Sequence, residues 1–363
     1  MTRISNLRVP AALAAGFLLA GAAHAQGSVT LYGVLDASVL YLSKTENPAT
    51  GANGGKFIGF GDSGYSPSLF GLKGTEDLGG GMKANFTLES GINMGTGGFN
   101  DSNGNLFGRQ AWVGISGGFG DVKLGLQYSP LFLALYDLDP RLSLTGSSLL
   151  PWLNNVAGTG IFTRNAVSYT SPLFYGFQGS VLYAFGNVAG NLQAGKQVSA
   201  SLKYQWQDLM VEAAYFDSNA SPAVDTVPAT DVPFEGRLIG ASYKLGSLTA
   251  KASFTSFRVS GGPSNNLYGG GLDYMLTPAV DLNGGVWYMT DRNETSSHAM
   301  LGSLGASYLL SKRTTLYAQV GVVRNDGNAR LGLVTGEGLS SNNTIFAPAG
   351  TTTAVDLGIR QTF

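Results

Sequence analysis

The chain has 363 residues, among them 53 Gly, 19 Phe and 16 Tyr, with 12% charged residues, no Cys and a formal charge of −1. Soluble domains carry about a quarter charged residues, and nucleic-acid binding surfaces are basic, so the composition argues against both. Without Cys, an exported version of this chain has no disulfide support and must satisfy its backbone hydrogen bonds through its own fold.

At the N-terminus, Arg3 and Arg8 precede an apolar run from Val9 to Ala20, followed by Ala23-His24-Ala25 and Gln26. This is the layout of a secretory signal peptide, and the run is shorter than the roughly 20 residues of a membrane-crossing helix. Cleavage is expected after Ala25, giving a leader over residues 1–25 and a single domain over 26–363. No Pro/Ser-rich linker or break in composition divides that domain.

No later segment strings together the ~18 uncharged apolar residues of a membrane helix, so any membrane embedding must be by strands. Period-two alternation supports strands. From Val29 to Tyr41, Thr30, Asp36 and Ser38 oppose Val29, Leu31, Leu35 and Val39. From Lys83 to Met94 the odd positions are Lys, Asn, Thr, Glu, Gly and Asn, and the even ones are mostly apolar. From Val198 to Trp206, Lys203 and Gln205 oppose Leu202, Tyr204 and Trp206. A strand with one face in lipid and one in water sorts residues this way; a helix does not.

Continuing the count predicts sixteen strands, near 28–42, 66–76, 82–94, 106–117, 120–129, 164–171, 175–187, 196–206, 208–217, 235–246, 248–259, 265–276, 279–290, 298–310, 313–325 and 351–363. The even number suits a single-chain bacterial barrel. Tight turns at 77–80, 207, 246–247, 276–278 and 311–312 contrast with long polar loops at 43–65, 95–105, 130–163, 218–234 and 326–350. Short turns on one rim and long loops on the other is the outer-membrane arrangement. Tyr32, Tyr41, Tyr128, Tyr204, Trp206, Tyr243, Tyr274, Tyr288 and Tyr308 fall near strand ends, where aromatic girdles sit. Lys73, Lys83, Glu89, Lys203, Glu212 and Lys251 fall on polar faces and are expected in the lumen.

Signals for other chemistry are weak. Gly114-Ile115-Ser116-Gly117-Gly118 matches the G-x-S-x-G pattern of hydrolases, but no helix is expected after it, and His298 is the one His beyond the leader. Asp217 and Asp225 lack Ca²⁺-loop spacing. Gly51, Gly54, Gly55, Gly59 and Gly61 read as turn formers. No catalytic residue, cofactor or metal is assigned.

Six ordered blocks carry a more specific signal: SVTLYGVLD from Ser28, GLKGTEDLGGG from Gly71, RQAWVG from Arg109, QYSP from Gln127, RNAVSYTSP from Arg164, and GIR from Gly358 with the final Phe363. On these the chain resembles the Gram-negative porin family of the β-proteobacterial type, over essentially its whole mature length. The resemblance implies an all-β fold, a 16-stranded antiparallel transmembrane barrel in the outer membrane. It also implies homotrimers, passive diffusion of small hydrophilic solutes and ions, and a third long loop, 130–163, folded inward as a constriction. The length of that loop and its apolar residues, Leu131, Phe132, Leu133, Leu135, Tyr136, Leu149, Leu150, Trp152 and Leu153, fit packing on the barrel wall.

In the resembled family a ladder of Arg on the wall faces acidic residues on the inward loop. Arg109 and Arg164 stand at ladder places, with Lys73 a further lumen cation, while Leu69 and Leu126 occupy places where the family usually has Arg. The loop offers Asp137 and Asp139, with Arg141 close behind. Two neutral rungs imply weaker anion preference than the family norm. Apolar-out logic turns Leu126 toward lipid, whereas family placement turns it inward. It also conflicts with an inward Arg109, which would bring Ala111, Val113 and Ile115 inward as well. An alternative reading is a substrate-specific channel with Phe132, Tyr136 and Trp152 as a slide for sugars or aromatic acids. Phe363 resembles the terminal signal that barrel-assembly machinery reads, and the expected partners are that machinery, outer-membrane lipid and lipopolysaccharide, with no nucleic acid.

Overall fold

The computed structural model describes residues 27–100, 104–141, 145–148, 150–151, 161–219, 233–334 and 346–363. The leader, Leu149, Trp152, Leu153 and Asp225 lie outside the described residues. In chain order the elements are β1 (Ser28–Glu46), β2 (Asn53–Asp62), β3 (Leu69–Gly79), β4 (Met82–Gly91), β5 (Gln110–Gly117), β6 (Gly120–Tyr128) and α1 (Pro130–Leu138). They continue with β7 (Phe162–Thr170), β8 (Phe177–Ala184), β9 (Gln197–Trp206), β10 (Leu209–Ser218), β11 (Phe234–Leu245) and β12 (Leu248–Val259). The last are β13 (Ser264–Thr277), β14 (Val280–Asp291), β15 (His298–Leu309), β16 (Thr314–Asp326) and β17 (Gly350–Thr362).

Every neighbouring pair is antiparallel, and β1 pairs with β17 from Val34↔Thr362 to Leu42↔Ala354, which closes the sheet. Closure leaves no edge, so the backbone groups are satisfied within the wall, as a membrane-spanning sheet requires. β2 and β3 together fill one place. β3 pairs with the first half of β1, Ser28 to Val34, and β2 with its second half, Ala37 to Glu46. The barrel is therefore sixteen-stranded, with its second strand broken at 63–68.

That break corrects the expectation of a long loop over 43–65. Val39↔Phe60 and Tyr41↔Ile58 share the outer face, while Ser38↔Gly61 and Leu40↔Gly59 share the inner one. A Cβ at Gly61 would lie 2.3 Å from Ser38 Oγ. Of the glycines that read as turn formers, Gly59 and Gly61 are therefore inward rungs of a strand, while Gly51 stays in the turn before it with φ +69°.

The two faces separate as alternation predicts. Val29, Leu31, Ile58, Val113, Leu124, Leu202 and Leu304 are exposed outward, in an apolar belt that suits lipid. Exposed Trp206, Tyr243, Tyr274 and Tyr308 lie toward the short-turn rim, and Tyr268 and Tyr288 toward the other. The tight turns β3–β4, β5–β6, β9–β10, β11–β12, β13–β14 and β15–β16 share one rim, the periplasmic one by the rule of short inner turns. Ser116 lies near the end of β5, before such a turn with no helix after it, and His298 opens β15 at the opposite rim, so the G-x-S-x-G match has no His beside it.

The segment after β6 begins as a helix. Ser129 caps α1 by accepting from Phe132 N at 3.1 Å, and Pro130 at the first turn fixes φ without wasting an N–H. Leu131, Ala134, Leu135 and Leu138, spaced three or four apart, are buried on one face. They join Phe216, Phe234, Leu238 and Phe257 of the wall in one apolar cluster, so α1 lies inside the barrel against β9 to β12. Burying each leucine contributes about 1.5–3 kcal/mol. The wall makes room with glycine: a Cβ at Gly236 would come within 2.6 Å of Leu131 Cδ2, and one at Gly240 within 2.8 Å of Leu138 Cδ1. Among the described residues no helix is long and apolar enough to cross a membrane, which is irrelevant to crossing by strands.

Candidate functional site

The charged side chains of the lumen fall into two groups, one on the wall and one on the inward segment. On the wall, Glu89 of β4 is buried and receives Arg109 Nε at 2.9 Å, Tyr32 Oη at 2.8 Å, Tyr128 Oη at 3.1 Å and Gln110 Nε2 at 3.3 Å. Arg109 Nη2 also donates to Tyr128 Oη at 2.8 Å, and its guanidinium stands 5.2 Å from the Phe162 ring centre. A carboxylate with this many donors fixes the side chains that donate to it. Alternation placed Glu89 in the lumen, but its role as the hub that orients Arg109 has no signal in sequence.

Arg109 stands one residue before β5, which removes the register conflict. Gln110 and Trp112 share the inner face with Glu89 and Thr87, while Val113 and Ile115 are exposed outward. Arg164 lies on β7, partly exposed, beside Asn165, whose φ of +52° marks an irregular rung.

The two apolar positions part company. Leu69 pairs with Val34 and with Gly91, two residues along from Gly71↔Glu89, so it lies on the lumen face. Leu126 pairs with Ala111, in step with the outward Val113↔Leu124 pair. Gly125 beside it has φ +132°, and the β6–β7 register shifts between Gly125 and Gln127, so the strand is bulged at this point. The Leu126 side chain packs at the margin of the buried apolar cluster.

On the inward segment, Asp137 forms an ion pair with Lys203 of β9, which also lies 3.6 Å from Glu212 of β10. Asp139 is buried and accepts from Arg141 N at 2.7 Å, from Ser148 N at 2.6 Å and from the Ser148 hydroxyl. Lys251 Nζ donates to the Asp139 carbonyl at 2.9 Å. Arg141, rather than projecting into a passage, is 2% exposed. Its Nε donates to Asn283 Oδ1 (3.0 Å), Nη1 to the carbonyls of Thr145 (2.6 Å) and Gly146 (3.2 Å), and Nη2 to Gln319 Oε1 (2.7 Å). Burial pushes its pKa down to about 10, which leaves it cationic at neutral pH. Arg141 thus ties the segment to β14 and β16.

Beyond it, Thr145 Oγ1 donates to the Gly64 carbonyl at 3.0 Å, in the break between β2 and β3. The described part of the segment therefore follows the inner wall from β9 round to β1, and Phe132 also meets Tyr128 of β6. Lys73 stands on the inner face of β3, toward the periplasmic rim from Glu89, with its ammonium 5.2 Å from the Tyr32 ring centre. Of the aromatics read as a slide, Phe132 is turned into the packing, 5.2 Å from the Tyr128 ring, and Tyr136 is exposed.

An apolar belt outside, charged and hydrogen-bonding groups inside, and a segment folded across the interior define a membrane channel rather than a soluble barrel. The family model for Gram-negative porins matches residues 11–328, and the chain belongs to that family. It is 32% identical to Outer membrane porin protein 32 of Delftia acidovorans, over 94% of this chain and 96% of that one. It is 31% identical to an outer membrane porin protein of Bordetella pertussis, over 97% and 98%. Among solved structures, the anion-selective porin from Comamonas acidovorans superposes with a TM-score of 0.78 at 28% identity, over 93% of this chain and all of that one. OmpT of Vibrio cholerae in its trimer form shares the fold, with a TM-score of 0.66 at 17% identity, over 93% and 99%. The protein is an outer-membrane porin, a passive channel for small hydrophilic solutes and ions, and the family consists of channels rather than enzymes.

Proposed function

We propose that solutes and ions pass along the inner wall of β3 to β6, and that the narrow region prefers anions less strongly than an Arg-rich relative. The observation that carries this reading is the pairing of its cations. Arg109 is matched by Glu89, Lys203 by Asp137 and Glu212, and Arg141 is withdrawn into the wall. Lys73 remains as a candidate cation of the passage, with no carboxylate partner among the described residues. Leu69 contributes no charge where the resemblance implies Arg. In a constriction with low-dielectric walls, each unmatched charge weighs heavily on selectivity.

The test is the zero-current potential of the purified protein in a planar bilayer under a KCl gradient. A small anion-directed potential is expected, and one as large as that of the anion-selective Comamonas porin measured alongside would overturn the reading. We further propose that the chain is exported by its leader and works as a homotrimer in contact with lipid and lipopolysaccharide. Phe363 is proposed as part of the signal read by barrel-assembly machinery. The trimer form of the Vibrio neighbour and the apolar outer belt support the oligomer. A substrate-specific channel is a second reading, favoured by a hollow in the inner wall of β1 and β3 to β6.

A further inference from the structure

Between the level of Glu89 and the periplasmic turns, the inner wall of β1 and β3–β6 is hollowed. The hollow measures about 310 Å³, and Thr30, Lys73, Thr87, Trp112, Asp121 and Lys123 carry its chemistry. The strand ladder puts Thr30, Lys73, Thr87 and Trp112 in one inward row, through the pairs Thr30↔Lys73, Lys73↔Thr87 and Thr87↔Trp112. Lys123 and Asp121 follow on the same face toward the turn.

Three features mark this place as more than a solvated wall. Trp112 is held in orientation, because its Nε1 donates to Gln110 Oε1 at 3.0 Å, and Gln110 in turn donates to Glu89. Lys123 lies 4.6 Å from the Trp112 ring centre and is matched by Asp121 at 3.2 Å. Lys73 has no carboxylate partner among the described residues. The local sum is one unmatched cation beside a fixed aromatic surface, bordered by threonine hydroxyls.

We propose that this hollow is a weak binding site for small organic anions that carry an aromatic ring, a class for which a monocarboxylate such as benzoate is the simplest probe. The carboxylate would meet Lys73, and the ring would lie against Trp112, where an aromatic surface contributes beyond its buried area. The volume is roughly twice the ~150 Å³ that suffices for a benzene ring in an enclosed cavity, so a ring and its carboxylate fit together with some water. An inorganic anion would use only the lysine, and a neutral sugar only the indole and hydroxyls. The site lies on the inner wall below the level of Glu89, where a solute meets it on the way to the periplasmic rim. Weak binding at such a point speeds selection without blocking exit.

The inference rests on the porin reading but is tested apart from it. Conductance in KCl alone tests the channel, and the proposal is read from what an added solute does to that conductance. In planar bilayers, benzoate is expected to reduce single-channel conductance saturably. Cyclohexanecarboxylate, which has the charge without the aromatic ring, and benzamide, which has the ring without the charge, are each expected to be about five-fold less effective. Trp112→Leu and Lys73→Gln should each weaken the benzoate effect by a similar factor. Equal action of benzoate and cyclohexanecarboxylate, a stronger effect of maltose than of benzoate, or an unchanged benzoate effect in Trp112→Leu would overturn it. The solute comparison uses the unmodified channel, so it decides the matter even if a variant fails to assemble.

Discussion

Arg141→Met should loosen the far end of the inward segment while leaving the barrel intact. The guanidinium makes four hydrogen bonds, and replacing it with an apolar chain of similar length removes this donor from Asn283 Oδ1, Gln319 Oε1 and the Thr145 carbonyl, while the Gly146 carbonyl keeps the Ser303 hydroxyl. Each buried acceptor left without a donor costs about 1–3 kcal/mol. Part of that is returned, because methionine has no charge to dehydrate, so the net loss is about 3–5 kcal/mol, typical of breaking a buried charged arrangement. At 1.4 kcal/mol per factor of ten, docking of the segment after α1 weakens by roughly a hundred- to a few thousand-fold. The three buried leucines of α1, Leu131, Leu135 and Leu138, supply roughly 5–9 kcal/mol of burial on their own account, so the helix stays against β9 to β12 and only the segment after it comes away. Single-channel recording should then show a larger, noisier open state than wild type, with Lys312→Met, in an exposed periplasmic turn, as the unaffected control. Wild-type conductance and noise in Arg141→Met would show that Arg141 does not hold the segment in place.

Three further outcomes follow from the register and the packing. Leu69→Arg adds a cation to the lumen face and should move the zero-current potential toward anions, whereas an unchanged potential would place residue 69 away from the ion path. Leu126→Arg meets apolar surroundings on either side of its bulged strand and should cost about 2–4 kcal/mol, as a charge on the lipid side of a barrel does; its signature is a lower yield of folded barrel, and normal yield would refute the assignment. Deleting Phe363 removes both backbone hydrogen bonds to Gly33, each 3.1 Å, and the ring that covers that glycine. Folded protein in the outer membrane should fall while export to the periplasm continues, and a normal trimer yield there would refute it.

Much of the wall was legible because lipid and water impose a two-residue period. Thr87 and Glu89 against Phe86 and Leu88, or Lys203 against Leu202, sort themselves without any knowledge of neighbours. β2 was missed where that signal vanishes: its inward positions include Gly59 and Gly61, so only Ile58 and Phe60 on the outer face still alternate. The helix was legible and passed over, since Ser129-Pro130 is a cap followed by a good first-turn residue, and the leucine spacing is helical. The burial of Arg141 was not legible. Its side-chain acceptors, Asn283 and Gln319, lie 142 and 178 positions away, and an arginine bound for the wall looks in sequence like one bound for the pore. Leu69 and Leu126 were equivalent by resemblance and were separated only by the ladder. A bulge at Gly125 shifts the β6–β7 pairing by one residue, and no pattern over a short strand reports that.

The break in the second strand gives the barrel an adjustable stop. Where β2 hands over to β3, residues 63–68 leave the ladder and turn their backbone inward. The amides of Tyr65 and Ser66 donate to the Asp36 carboxylate, and the Gly64 carbonyl accepts from Thr145 and Gln319. A continuous strand would have spent those groups on its neighbours. The reach of the inward segment, and with it the aperture, is thus set by a gap in the wall opposite the helix. A one-residue insertion or deletion at 63–68 would change how far the segment extends without altering a charge or a strand, so pores of different calibre can arise from this wall through the length of six residues.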